Sequence, residues 1–96
     1  MPRRPAVYIL TSRRDGPLYV GVTSDLVRRT WQHRTDALDG FTRRYLLHTL
    51  VYYEMHADMR AAITREKQIE RWNRARKIQL IERQNPEWRA PWPTLG

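Results

Sequence analysis

Early in the chain, two short runs of β-branched and aromatic residues, Ala6-Val7-Tyr8-Ile9-Leu10 and Leu18-Tyr19-Val20-Gly21-Val22, flank the turn-rich stretch Arg13-Arg14-Asp15-Gly16-Pro17. Side chains of this kind favour the pleated, half-buried setting of a strand, and Asp-Gly between two such runs signals a hairpin. The segment therefore reads as an antiparallel hairpin, with strands over residues 6–12 and 18–22 and a loop from Arg13 to Pro17. That arrangement brings the Tyr8 and Tyr19 phenols near one end of a small sheet.

After the hairpin, Thr23-Ser24-Asp25 offers capping oxygens for a helix reaching about Ala37. Leu26, Val27, Thr30, Trp31 and Leu38 fall on one side of it at about 100° per residue. On this wheel Arg28 points to solvent, whereas Arg29 and His33, four residues apart, flank the apolar stripe and can reach back over the hairpin. Gly40-Phe41-Thr42-Arg43-Arg44-Tyr45 reads as a basic loop with two aromatics, and Leu50-Val51-Tyr52-Tyr53-Glu54 as a third strand. Asp58 caps a helix reaching about Trp72, with Met59, Ala62, Ile63 and Ile69 as its inner face and Glu66 at that face's centre. A last helix from about Arg74 to Arg83 turns Ala75, Ile78 and Ile81 inward. Asn85-Pro86 stops it, and Trp88 and Trp92 of the tail pack back on the domain.

With 96 residues the chain has room for a single domain, residues 1–96, with a core over about 5–85 and a tail over 86–96. Eighteen Lys and Arg against ten Asp and Glu leave a net charge of +8, which draws polyanions: nucleic acid first, since Trp, Tyr and Arg are interleaved here, anionic lipid second. No apolar run approaches the ~20 residues of a membrane span, and no hydrophobic signal core follows Met1-Pro2-Arg3-Arg4-Pro5. The expectation is a cytoplasmic protein. Without cysteine there are no disulfides or thiolate metal sites, and His33, His48 and His56 lack a zinc-like spacing. Any metal would be a hard, oxygen-loving one.

A carboxylate in the middle of an apolar helix face costs several kcal/mol unless a cation compensates it. Glu66 therefore needs a partner, either a Lys or Arg of this chain or a Mg²⁺ or Mn²⁺ ion. The other candidates each have a plain structural role as well. Tyr8 and Tyr19 suit strand packing, Arg29 suits a solvated helix face, and His33 suits a satisfied boundary position. Arg43, Arg44, Arg74, Arg76 and Lys77 are either solvated charges or phosphate contacts.

The order of these parts resembles the GIY-YIG nuclease superfamily over nearly the whole chain. Ala6-Val7-Tyr8 stands where the family's first motif begins and Tyr19-Val20-Gly21 where its second lies. The stretch Asp25 to His33 resembles the family's helix. Arg65-Glu66-Lys67-Gln68-Ile69 through Trp72, and Asn85-Pro86-Glu87-Trp88, resemble the small stand-alone bacterial members, usually described as endonucleases. Ala6 departs from the motif's glycine, at a position that supports backbone geometry.

The resemblance implies an α+β fold, a three-stranded antiparallel sheet flanked by helices in the order β-β-α-β-α-α, and metal-dependent cleavage of DNA. Carried over residue by residue, Tyr8 and Tyr19 would hold and deprotonate the attacking water or pass its proton on. Because a free phenol titrates near pH ~10, base duty would require a nearby cation. Arg29 would brace the non-bridging oxygens, and Glu66 would anchor a single Mg²⁺ or Mn²⁺. His33 and Asn85 would be supporting hydrogen-bonding groups. The expectation is that this module is the entire protein, with target choice left to a partner or a homodimer. The rival expectation is a module that keeps the fold and binds DNA or RNA without cleaving it.

Overall fold

The computed structural model describes residues 4–34 and 49–89, with 33 and 34 by backbone alone. Among them the elements run β1 (Ala6–Thr11), β2 (Leu18–Thr23), α1 (Leu26–Arg34), β3 (Thr49–Met55), α2 (Met59–Arg71) and α3 (Arg74–Gln84). The strands form one antiparallel sheet in the order β2-β1-β3, so the first strand lies in the middle. This is the α+β sandwich of a small sheet between helices that the sequence leads one to expect. The stretch expected to end α1 near Ala37, Leu38, the loop Gly40 to Tyr45 with Arg43 and Arg44, and Trp92 lie outside the described residues.

The hairpin closes on a turn in which the Gly16 amide donates to the Arg13 carbonyl at 2.9 Å. Asp15 carries the left-handed φ of 60°. Aspartate tolerates this conformation better than most side chains do. A tie from the far end of the chain holds the loop down. One Arg74 NH2 donates to the carbonyls of Asp15 at 2.6 Å and Gly16 at 2.7 Å.

All six residues of β1 are buried, as a central strand covered on both faces requires. Their side chains alternate between two separate cores. Val7 and Ile9 join Val20, Val51, Tyr52, Ala62, Ile69, Leu80, Ile81 and Trp88 under α2 and α3. Ala6, Tyr8 and Leu10 join Leu26 and Leu50, with Tyr19, Val27, Tyr53 and Met55 packed alongside, under α1. Opposite β3 the register slips between Ile9 and Leu10, which pair with Tyr52 and Leu50, so Val51 is the extra residue of a bulge.

Each helix has a narrower inner face than its hydropathy suggests. In α1, Leu26 and Thr30 are buried and Val27 half-buried, and the Thr30 hydroxyl donates back to the Leu26 carbonyl at 2.9 Å. Trp31, expected on that stripe, is 56 % exposed, because it lies one residue round the helix from Thr30. In α2, Met59 and Ile63 are 37 % and 38 % exposed, which corrects their expected place on the inner face. The inward stripe is Ala62, Arg65, Glu66 and Ile69, spaced i, i+3, i+4, i+7. In α3, Ala75 is exposed, and Leu80 joins Ile81 in the core instead.

The helix ends follow their caps. Asp58 accepts from the Ala61 amide at 2.8 Å and Asn73 from the Arg76 amide at 2.9 Å, each satisfying an otherwise orphaned donor. Asn85 ends α3 by donating its amide to the Ile81 carbonyl at 2.7 Å. Trp88 then folds back to 5 % exposure, its indole N–H donating to Glu82 at 2.7 Å.

Candidate active site

Tyr8 sits at the middle of the central strand, opposite Gly21 on β2 and Tyr53 on β3. Its ring lies flat over Gly21. A Cβ added there would fall 2.5 Å from both Cζ and Oη of Tyr8 and 2.9 Å from Cε2. The glycine of the second motif is thus a seat for the tyrosine of the first. Tyr19, two residues earlier on β2, points to the same face, and the two ring centroids are 6.3 Å apart with planes inclined at 41°. Edge-tilted packing at this distance is favourable for aromatic pairs.

From α1, Arg28 is exposed and Arg29 half-buried. Asp25 sets the helix start by accepting from the Arg28 amide at 3.2 Å. Glu66 comes from α2, whose buried residues belong to the opposite core. The electrostatic environment of Tyr8 nevertheless contains all three other groups. Burial, then the neighbouring Tyr19 phenol, push its pKa well above the ordinary tyrosine value. The Arg29 guanidinium pulls it down, and the Glu66 carboxylate pushes it up again. Two phenols, one guanidinium and one carboxylate therefore share one neighbourhood. Tyr8 itself is 1 % exposed, while Tyr19, Arg29 and Glu66 are half-buried and open to water.

Desolvation, then repulsion from Glu70, hold the Glu66 pKa above the usual carboxylate value, with Lys67 opposing them. Among the described residues no Lys, Arg or His lies within 4.0 Å of its carboxylate. A half-buried acid raised in this way and left without an ion pair gains from a cation. No group of three or more His, Cys, Asp or Glu able to hold a metal occurs among the described residues. A lone carboxylate suits Mg²⁺ or Mn²⁺, which keeps several waters and takes further ligands from substrate phosphates, and does not suit zinc.

The remaining expected site residues are as follows. His33 lies in α1, with its side chain outside the described residues. Asn85 is committed to structure: its Nδ2 donates to the carbonyls of Val51 at 3.0 Å and Arg89 at 2.8 Å, and its Oδ1 accepts from the Arg89 amide at 3.0 Å. These bonds fasten the end of α3 to β3 and give Asn85 a structural role. Arg74, exposed on α3, is likewise engaged by the hairpin loop through one NH2. Arg76 stacks on Trp72, its Cζ 3.9 Å from the ring centre. Lys77 is half-buried on α3.

A second polar cluster is absent from the expectations above. Glu54 on β3 accepts from the Tyr52 hydroxyl and from Arg65 Nε at 3.0 and 3.2 Å, and His56 Nε2 lies 2.6 Å from it. Burial alone would raise the Glu54 pKa, but the bonds from Tyr52, Arg65 and His56 outweigh it and leave it below the usual carboxylate value. Burial, then the bond to Glu54, push the Tyr52 phenol up to about 12. The strand pattern Tyr52-x-Glu54-x-His56 was the available signal, because a period of two places all three on one face.

Comparison with known proteins identifies relatives of this chain. The model of the GIY-YIG catalytic domain matches residues 4–79. A UPF0213 protein of Bacillus pumilus is 34 % identical over 76 residues, covering 79 % of this chain and 78 % of that one. A UPF0213 protein of Syntrophus aciditrophicus is 37 % identical over 82 residues, covering 84 % and 92 %. The solution NMR structure of a UPF0213 protein from Bacillus halodurans superposes with a TM-score of 0.56 at 27 % identity, covering 88 % of this chain and 89 % of that one. None of these relatives' names specifies a reaction.

Proposed function

The chain belongs to the GIY-YIG catalytic-domain family of nucleases, and on that premise we propose that it is an endonuclease hydrolysing DNA phosphodiester bonds with one divalent metal ion. The observation that carries the proposal is the packing of Tyr19 against Tyr8, with ring centroids 6.3 Å apart, where the charges of Arg29 and Glu66 also act on the Tyr8 phenol; the four come from four different elements.

In this reading water reaches the site on the side of Tyr19, the more open phenol, with Tyr8 fixed behind it. The two hydroxyls orient the attacking water, and its proton passes to solvent through the open side at Tyr19. Tyr8 enters the reaction as a protonated donor, because burial holds its pKa high. Arg29 offers planar N–H donors to the non-bridging oxygens, where charge builds as phosphorus is attacked. Glu66 would hold the metal ion, which supplies charge neutralisation at the scissile phosphate and the departing oxygen. The net charge of +8 draws the strand to the surface, with Arg43, Arg44 and Lys77 as proposed contacts. A partner or a second copy of the chain selects the target, and a cytoplasmic location fits such a substrate. No helix among the described residues is long and apolar enough to cross a membrane.

The test is nicking of supercoiled plasmid, beside single-stranded DNA and structured RNA, with Mg²⁺ or Mn²⁺ and with chelator. We expect metal-dependent nicking that Glu66→Ala abolishes while gel-shift affinity survives. Arg29→Ala should slow it by roughly 10²-fold, the loss typical of one charge-stabilising donor. Cleavage by Glu66→Ala at the parent rate would refute the metal assignment. Gel shifts without nicking by the parent would leave a nucleic-acid-binding module.

A further inference from the structure

The elbow between α2 and α3 holds a feature that hydrolysis at Tyr8 does not use. A half-enclosed notch of about 260 Å³ opens there, lined by Arg65, Trp72, Arg76, Gln79, Leu80 and Arg83. Of its three guanidiniums Arg65 is paired with Glu54, and those of Arg76 and Arg83 repel one another in so small a space. No carboxylate lines the notch among the described residues, and Glu54 engages neither Arg76 nor Arg83. No ion pair among them takes up Arg76 or Arg83. Such an arrangement costs free energy in the isolated protein and is relieved by an anion.

The geometry also selects the kind of anion. The Cζ atoms of Arg76 and Arg65 lie 3.9 and 5.1 Å from the Trp72 ring centre, so the indole is already stacked and the notch presents N–H donors rather than an aromatic face. Stacking fixes the plane of Arg76 before any ligand arrives, which lowers the ordering cost of a forked contact to paired oxygens. Arg76, Gln79 and Arg83, spaced i, i+3 and i+7, share one face of α3, with Leu80 beside them in the lining. A phosphate matches this donor set, and a base does not.

We propose that this notch binds a backbone phosphate of the nucleic-acid substrate, away from the scissile bond, with Arg76 and Arg83 as its donors. The inference rests on the nuclease reading for its ligand, but it concerns a different surface. Trp72 and Leu80 pack against the core under α2 and α3, whereas Tyr8 belongs to the core on the other face of the sheet. The contact is therefore independent of sequence and sets affinity.

The experiment is fluorescence anisotropy of a labelled duplex with the full chain, in chelator so that nothing is cut, across a salt series. It compares the parent with Arg76→Gln, Arg83→Gln, the double variant and Arg60→Gln, an exposed arginine outside the notch. Each notch variant should lower the slope of log K against log salt by about 0.9 and the double variant by roughly twice that. Arg60→Gln should leave the slope at the parent value. The Arg83 side chain makes no hydrogen bond or ion pair among the described residues, so its variant reads the charge even if Arg76→Gln loosens the elbow. An unchanged slope in the double variant overturns the inference, as does an equal loss from Arg60→Gln. So does saturable binding of inorganic phosphate or ATP that the double variant loses while its duplex affinity stays at the parent value. A lowered slope in a protein that never nicks plasmid would refute the nuclease reading and leave the notch standing.

Discussion

Gly21 matters for what it lacks. Tyr8 lies across the backbone of β2 because its cross-strand partner has no side chain, and this contact links the two motif strands more closely than sheet hydrogen bonds alone would. A methyl group there must displace the Tyr8 ring, and that ring sits in a filled core that leaves it little room to move. Gly21→Ala should therefore cost roughly 1–3 kcal/mol, the usual penalty for overpacking, and should reduce nicking further than Tyr19→Phe, because it moves the phenol that Arg29 and Glu66 both face. Urea denaturation gives the first number and the plasmid assay the second. Parent stability in the Gly21→Ala variant would mean that Tyr8 can sit elsewhere without loss. Much at this scale was legible in the sequence, because strand alternation and helix spacing are local: they separate Arg29 from Arg28 and set the two tyrosines on one face. The fates of Asn85 and Arg74 were not legible. Their partners, Val51 and the Asp15-Gly16 turn, lie 34 and 58–59 residues away, and no local pattern announces such a bond.

At the scale of elements, the caps and strand runs located every described helix and strand, while the helix faces proved harder to read. Hydropathy puts Met59 and Ile63 on the inner side of α2 around Glu66, and the structure keeps Glu66 there but sets Arg65 beside it in their stead. The reason is tertiary. The Arg65 charge is compensated by Glu54 from β3, so a face that looks too polar to bury is stable once the sheet forms. The packing of α2 lies mainly over β2 and β1, and the Arg65–Glu54 pair is its link to the far strand. Glu54→Gln keeps the shape and loses the charge, and it should cost about 1–3 kcal/mol at neutral pH, as for hydrogen bonds to a charged group. The pH dependence follows from the sign of the shift. The folded-state pKa of Glu54 is depressed, so its contribution is present above the unfolded carboxylate value of about 4.3 and disappears as pH falls through the folded value. The stability gap between parent and Glu54→Gln, measured in urea, should be widest near pH 7 and close toward pH 3. A gap that stays constant would show that the ion pair contributes nothing and that only shape matters.

Across the whole molecule, the three-stranded sheet acts as a partition between two layers that do different work. One face carries Val7, Ile9, Tyr52 and the helices that cover them, with the Glu54 cluster as its polar fastening. The other carries Tyr8 beside Tyr19 under α1, the helix that bears Arg29. Tyr52 and Tyr8 are both buried, both on strands, and both raised in pKa chiefly by burial, yet they face opposite ways. Composition cannot distinguish two such tyrosines; the sheet can, because β1 and β3 pair in a register that assigns each residue a side. Removing one hydroxyl at a time tests the partition. Tyr52→Phe deletes the donor to Glu54 and should lower stability by about 0.5–1.5 kcal/mol while the nicking rate of the folded protein stays at the parent value. Tyr8→Phe should leave stability within about 1 kcal/mol of the parent and reduce nicking by roughly 10²-fold, since the ring still fills its place over Gly21 while the attacking water loses its partner. Thermal unfolding and plasmid nicking, measured on both variants at one pH and salt, give the two-by-two comparison. If Tyr8→Phe cuts as the parent does, or if Tyr52→Phe is the variant that stops cutting, the functional face has been assigned to the wrong side of the sheet.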